Sequence, residues 1–266
     1  MGGLRALLWD VDGTLAETER DGHRVAFNAA FEACGLGWRW DETRYGELLA
    51  VTGGRERLLH DMASRSDAPP AAAEREALAR RLHEHKNRDY ARRVRAGQVP
   101  LRPGVREVME AGPAQGIAMG IVTTSGRGNV EALLEAAWGP GWADRFAVVV
   151  CGDDVARKKP DPEAYRLALD RLALRADEVL AIEDSPAGAE AARQAGCPFV
   201  ITWSSYFAAA EIPGAIAAGP GLHERADWQP PADGEIGPIG LPDLQRWWAL
   251  GVPVRRQWEP GSAVST

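Results

Sequence analysis

The residues best suited to chemistry lie near the start of the chain, in Leu7-Leu8-Trp9-Asp10-Val11-Asp12-Gly13-Thr14-Leu15. An apolar run from Leu4 to Trp9 ends on one carboxylate, passes one residue, and meets a second carboxylate followed by Gly and Thr. A short continuous apolar run bounded by turn residues reads as a buried parallel strand. Asp10 then sits at the carboxyl end of that strand, where open α/β sheets place their sites. Asp12 faces the same way if the chain stays extended for one more residue, and Gly13 permits the tight turn that follows. Two carboxylates this close repel one another unless a proton or a cation intervenes. The pair therefore suits one carboxylate as nucleophile or Mg²⁺ ligand and the other as a protonated acid. Taken alone, the same pentapeptide is also an ordinary strand-to-turn junction, because Asp and Gly favour turns.

Later segments supply the rest of such a site. The apolar run Ile117 to Val122 ends on Thr123-Thr124-Ser125, and Val179 to Ile182 ends on Glu183-Asp184-Ser185. Lys159 precedes Pro160 in the loop after a third run, Phe146 to Cys151. In a parallel sheet these ends share one edge and converge. Asp10, the Asp12 backbone carbonyl and Asp184, with Glu183 beside it, offer hard oxygen ligands for an octahedral Mg²⁺ completed by waters and a phosphate oxygen. Thr123 and Lys159 are placed to hold the oxygens of a transferring phosphoryl group.

The elements that must position these residues follow from the pattern. After Arg102-Pro103-Gly104, helices at 105–111, 129–138, 162–172 and 187–195 alternate with apolar strands, the last being Pro198 to Thr202. That alternation predicts an α/β fold, a Rossmann-like three-layer parallel sheet in the order 5-4-1-2-3 with helices on both faces. Thr18 to Gly97 reads as helical throughout, including a long helix from about Ala71 to Val94, and is expected to form a cap inserted after the first strand. The expected division is a core of residues 1–17 and 98–207, a helical cap of 18–97, and a Pro-, Gly- and Trp-rich extension of 208–266. Within the extension, a helix from Asp243 to Leu250 presents Leu244, Trp247 and Trp248 for docking, and disorder is expected beyond Trp258.

Composition narrows the classes of partner. The chain has 266 residues and a formal net charge of −7, which argues against bulk nucleic-acid or membrane-surface binding. An anionic substrate then needs local cations or a metal. Cys34, Cys151 and Cys197 are odd in number and lack metal-ligand spacing, so small buried side chains in a reducing compartment are expected. No apolar stretch approaches a membrane span and no leader pattern is read at the N-terminus, so a cytoplasmic protein is expected.

The ordered set Asp10-Val11-Asp12-Gly13-Thr14, Thr123, Lys159 and Glu183-Asp184 resembles the four motifs of the haloacid dehalogenase-like hydrolase superfamily. That resemblance implies an aspartyl-phosphate mechanism: Asp10 attacks phosphorus, Asp12 protonates the leaving alcohol and then activates water, and Mg²⁺ neutralises charge. A closer resemblance is to the CbbY-type sugar phosphatases, which hydrolyse xylulose-1,5-bisphosphate, an inhibitor of Rubisco. It is carried by Leu15 to His23, Ala26-Phe27-Asn28, Thr52 to Arg57, Thr123-Thr124-Ser125 and Asn129 to Leu133. The match implies that Glu19 and Tyr45 touch sugar hydroxyls, and that His23, Gly53, Gly54, Arg55, Arg57, Thr124, Ser125 and Asn129 line the substrate site. It also implies that the cap binds a distal phosphate at His83 and Lys86, which lie three residues apart on one predicted helix. Without the resemblance, His83 and Lys86 read as the solvated side of a charged helix. The expected partner is a small phosphorylated sugar, linked to Rubisco through function and without a demonstrated contact. The same four motifs also suit a hexose-phosphate mutase of the β-phosphoglucomutase type or a broad-specificity phosphosugar phosphatase. A phosphosugar-binding module without catalysis would need neither the nucleophile nor the acid.

Overall fold

β1 (Ala6–Trp9) is wholly buried and pairs in parallel with a neighbour on each side. A strand flanked on both sides and covered on both faces must be apolar at every position. Leu7 and Trp9 enter the hydrophobic layer on one face of the sheet, and Ala6 and Leu8 enter the layer on the other. A computed structural model describes this arrangement for residues 3–208, 210–234 and 236–251.

After β1 the chain passes through a π-helical turn, Thr18–His23, into α1 (Arg24–Ala33), α2 (Glu42–Leu48), α3 (Gly54–Ala63) and α4 (Ala72–Arg95). No strand lies between Thr18 and Gly97. These helices close around their own core, in which Phe27, Phe31, Trp38, Trp40, Tyr45, Leu58 and Leu82 are buried. Asn28 holds the Trp40 backbone from both sides, accepting from its N–H (2.8 Å) and donating to its carbonyl (2.9 Å). The chain returns beside its point of departure. Ala16 and Leu101 form an antiparallel bridge, and the Arg102 N–H donates to the Leu15 carbonyl at 2.7 Å. The two connections to the helical insert thus run side by side.

The remaining elements alternate: α5 (Val105–Ala114), β2 (Ala118–Val122), α6 (Arg127–Trp138), β3 (Val148–Val150), α7 (Glu163–Leu172), β4 (Val179–Glu183), α8 (Pro186–Gln194) and β5 (Phe199–Thr202). Two further elements follow, β6 (Ala217–Gly219) and α9 (Leu241–Leu250). The sheet order is β3-β2-β1-β4-β5-β6, with every pairing parallel. Its first five strands have the order expected from the sequence.

The sixth strand was not expected. Ala217–Gly219 lies in a segment that carries no strand pattern, because three small residues give no period to read. It forms because β5 offers an open edge: the Ile216 N–H donates to Phe199 O and the Trp203 N–H to Gly219 O, both at 2.9 Å. Trp228 then covers it and stacks on Trp247 of α9, with ring centroids 4.7 Å apart. Leu244 and Trp247 are buried, as the docking pattern of that helix required. The disorder expected beyond Trp258 falls outside the described residues.

The close approach of Trp228 explains a glycine. A β-carbon on Gly219 would lie 2.3 Å from Trp228 Cδ2, and overpacking a filled core costs about 1–3 kcal/mol. Gly219→Ala should therefore lower the unfolding free energy by that amount and shift the denaturation midpoint downward. An unchanged midpoint in urea or heat would mean that β6 and Trp228 do not pack in this way.

Candidate active site

The carboxyl ends of β1, β2 and β4 meet at one edge of the sheet, as the parallel order demands. The Asp10 N–H extends the ladder to Ile182 O (3.0 Å), and the Thr123 N–H extends it to Val150 O (3.0 Å). Each side chain is thereby fixed by the last rung of a central strand. Lys159 arrives from the loop between β3 and α7. Its ammonium spends all three donors, on Asp10 Oδ1 (2.7 Å), Glu183 Oε1 (2.6 Å) and the Val122 carbonyl (2.7 Å). Tyr165 adds a hydrogen bond to Glu183 Oε1 at 2.5 Å. Room for Glu183 exists because α8 begins with small residues: a β-carbon on Gly188 would lie 1.9 Å from Glu183 Oε2.

Oxygens of Asp10, Glu183 and Asp184 all lie within 4.8 Å of one another, and all three residues are buried. One ammonium therefore faces three carboxylates. Burial raises the Asp10 pKa well above the usual carboxylate value; Lys159 opposes the rise, while Glu183 and Asp12 reinforce it. Asp184 is raised for the same reasons, by burial and by the charge of Asp10. For Lys159, burial works against the charge, but Asp10 and Glu183 outweigh it and hold the ammonium ionised. The cluster must thus take up either protons or a cation. Glu183 Oε2 is buried without a hydrogen-bond partner, and the donor set is entirely hard oxygen. Both features fit a divalent cation such as Mg²⁺ or Ca²⁺ better than a soft metal.

Asp12 is turned to other partners. Its carboxylate accepts from Thr18 Oγ1 (2.5 Å), Ser125 Oγ (2.5 Å) and His23 Nε2 (3.0 Å). Burial acts to raise its pKa, but the charge of His23 and the hydrogen bonds from His23, Ser125 and Thr18 prevail and hold it well below the ordinary range. These contacts hold Asp12 as a carboxylate, so the acid role expected from the sequence requires it to exchange them. Its side chain is also not part of the three-residue carboxylate cluster.

Above this edge lies a cleft of about 480 Å³ between the sheet and the helical insert. Of the residues expected to bind substrate, Glu19, His23, Gly53, Gly54, Arg55, Arg57, His83, Lys86, Thr124, Ser125 and Asn129 line it, together with Asp10, Asp12, Lys159 and Asp184. Tyr45 does not. It is fully buried behind the wall, donating its hydroxyl proton to Glu19 and accepting from Arg57 Nη1 (2.6 Å), so it orients those two side chains rather than touching a ligand. Thr123 and Glu183 are likewise buried behind the wall. Thr123 Oγ1 accepts from the Ser125 N–H at 3.1 Å and shapes that turn.

Lys86 is only 3% exposed and packs over the rings of Phe27 and Tyr90, 5.4 and 5.3 Å from their centroids. It is not on the solvated side of its helix. Burial lowers the His83 pKa to about 4, with the charge of Lys86 adding to the effect, so His83 enters the site as a neutral ring and not as a second cation. Several wall residues escaped the sequence reading. Asn87 accepts from Lys86 Nζ (3.4 Å) and Asn129 Nδ2 (3.3 Å), while Lys158 faces Glu56 across the cleft at 3.9 Å. The doubled lysine before Pro160 was a visible signal for Lys158; Asn87 had none beyond its place beside Lys86.

Residues 4–196 match the haloacid dehalogenase-like hydrolase family. The chain belongs to that family. It is 40% identical to the plasmid-borne protein CbbY of Cupriavidus necator over 98% of this chain and 99% of that one. CbbY of Rhodobacter capsulatus is 43% identical over 76% of this chain and 87% of that protein. Among solved structures, an Asp-to-Asn mutant of CbbY from Rhodobacter sphaeroides in complex with xylulose-1,5-bisphosphate superposes with a TM-score of 0.74 at 38% identity, covering 80% of this chain and 92% of that one.

The buried ion cluster makes the family site a stability element as well. Lys159→Ala leaves Asp10 and Glu183 buried without their counter-ion, and breaking such a pair costs about 3–5 kcal/mol. Metal-free denaturation should show a loss of that size. A loss below about 1 kcal/mol, the value of a solvated surface pair, would mean that Lys159 does not sit buried among these carboxylates.

Proposed function

We propose that the chain is a Mg²⁺-dependent phosphosugar phosphatase that hydrolyses xylulose-1,5-bisphosphate through an aspartyl phosphate on Asp10. The coarse part follows from kinship: the chain is a phosphoric monoester hydrolase of the haloacid dehalogenase-like family, with CbbY relatives along nearly its whole length. The observation that carries the finer reading is the joint presence of two sites in one cleft. A carboxylate with its own lysine stands at the sheet edge, and a buried lysine beside an arginine-flanked glycine turn stands in the helical insert. A bisphosphate needs both. The Rhodobacter sphaeroides relative solved with xylulose-1,5-bisphosphate supports that ligand, and clearance of a Rubisco inhibitor is the role that goes with it.

In this reading Asp10 attacks phosphorus while Lys159 holds it in place and offsets its charge. The leaving alcohol takes a proton from Asp12, which must first exchange its contacts with Thr18, His23 and Ser125 and become protonated. Asp12 then takes a proton from the water that attacks the phosphoaspartate, releasing inorganic phosphate. A divalent cation bound at Asp10 and Asp184 supplies charge neutralisation for the phosphoryl oxygens. Glu19 and Arg57, set by Tyr45, orient the sugar. Lys86, Arg55 and the backbone of the Gly53-Gly54 turn hold the distal phosphate.

Phosphate release from pentulose bisphosphates and hexose phosphates is the deciding assay; isomerisation of a hexose phosphate without net release would identify a mutase instead. Asp10→Asn should abolish turnover, since uncatalysed phosphate-monoester hydrolysis is extremely slow, and Asp12→Asn should cost about 10²–10⁴-fold. Asp184→Asn should raise the Mg²⁺ concentration needed for half-maximal rate, and an unchanged titration would remove Asp184 from the ligand set.

Lys86 gives the distal site a pH signature. Burial lowers its pKa to about 8, so its charge is present below that pH and lost above it. KM for xylulose-1,5-bisphosphate should therefore climb as pH rises through 8. Lys86→Ala should have a KM at neutral pH raised by about ten- to a hundredfold, the value of a charged hydrogen bond, and should lack the alkaline rise. The same rise in the variant would assign the titration to another group.

A further inference from the structure

The loop after β5 belongs neither to the strand-end motifs nor to the helical insert, yet Ser204, Tyr206 and Phe207 lie on the wall of the cleft. Its start is pinned to the core. The Trp203 N–H donates to Gly219 O (2.9 Å), and the Trp203 carbonyl accepts from Arg102 Nη2 (2.7 Å). Ser204 is buried beside the carboxylate cluster: a β-carbon on Gly13 would lie 2.0 Å from Asp184 Oδ2 and 3.0 Å from Ser204 Cβ. Ser205 holds the path into the insert, its N–H donating to Glu17 Oε2 (3.2 Å) and its Oγ accepting from Arg20 Nη1 (2.9 Å). Tyr206 then crosses to the insert itself. Its ring lies 5.7 Å from that of Tyr45, inclined at 53°, and fills the space over α2 where a β-carbon on Gly46 would come within 3.2 Å of Tyr206 Cδ1. Tyr45 is the residue that orients Glu19 and Arg57. Three consecutive residues thus lie beside the carboxylate cluster, hold the connection between the two bodies, and pack on Tyr45, which orients Glu19 and Arg57.

We propose that Tyr206 is a positioning residue for phosphosugar recognition, seating the Tyr45–Glu19–Arg57 cluster against the core while the cleft is filled. This rests on the phosphosugar phosphatase reading and deepens it by naming a specificity determinant outside the family motifs. The ring carries the contact, so the hydroxyl is dispensable. An aromatic pair of this geometry corresponds to about three- to tenfold in a binding constant. A small ester with no sugar makes no use of Glu19 and Arg57, so the loss must appear in the ratio between substrates.

The test compares kcat/KM for a phosphosugar with kcat/KM for p-nitrophenyl phosphate. The phosphosugar is whichever of xylulose-1,5-bisphosphate, fructose-1,6-bisphosphate and β-glucose 1-phosphate the wild type hydrolyses fastest. A wild type inert toward the pentulose bisphosphate then counts against that substrate alone and leaves the Tyr206 comparison readable. Tyr206→Ala should lower the ratio about three- to tenfold, chiefly through KM for the phosphosugar, and Tyr206→Phe should keep it within twofold of wild type. Gly46→Val, which displaces the ring without altering Tyr206, should lower the ratio in the same direction. A ratio within twofold of wild type in both Tyr206→Ala and Gly46→Val would overturn the proposal. So would an equal loss on both substrates, or a Tyr206→Phe variant as impaired as Tyr206→Ala.

Discussion

One ammonium facing three buried carboxylates is the constraint on which the rest of the structure depends. Lys159 answers Asp10 and Glu183 directly, and Asp184 stands beside them with no cation of its own within the cluster. Such an arrangement is costly to bury, and its mutual repulsion is relieved either by protons or by a bound cation. Much of the local architecture serves to hold it. The last rungs of the sheet fix Asp10 and Thr123, Tyr165 backs Glu183, and Gly13 and Gly188 leave the space that the carboxylates fill. The same imbalance that makes the site expensive makes it receptive to a cation and an electrophilic phosphorus.

The second carboxylate is handled in the opposite way. Asp12, two residues from Asp10, is stabilised as an anion by groups from the insert's first turn and from the loop after β2. Its ordinary acid strength is thus overridden from both sides of the cleft. Because Thr18 and His23 belong to the segment that leads into the insert, the protonation state of Asp12 is tied to how that segment sits. The two connections are bridged at Ala16 and Leu101, and the Arg102 side chain ties them to the end of β5 through the Thr202 and Trp203 carbonyls.

The sequence was most legible where local pattern and chemistry coincide. Apolar runs ending on Asp10, Thr123 and Glu183 identify both the strands and the sheet edge, because a parallel sheet leaves few other places for such ends to go. Residues whose role is set by depth were harder to read. Tyr45 and Lys86 are both expected at a ligand, and only packing separates them: Tyr45 lies behind the wall, while Lys86, packed over two rings, lines the cleft. The neutral state of His83 depends on burial beside a lysine, which helical spacing alone does not disclose. β6 and the loop Ser204–Phe207 had no signal of their own. Both exist because β5 leaves an edge open and the segment after it folds back along the sheet.

The central claim is that Asp10 forms a covalent bond to phosphorus during turnover. Hydrolysis of a thiophosphate ester made chiral at phosphorus by two oxygen isotopes, in water carrying the third, tests this most directly, because each in-line displacement inverts the centre. Two displacements, first by Asp10 and then by water, predict inorganic thiophosphate with net retention of configuration. Net inversion would mean that water attacks the ester directly, and the role assigned to Asp10 would be wrong.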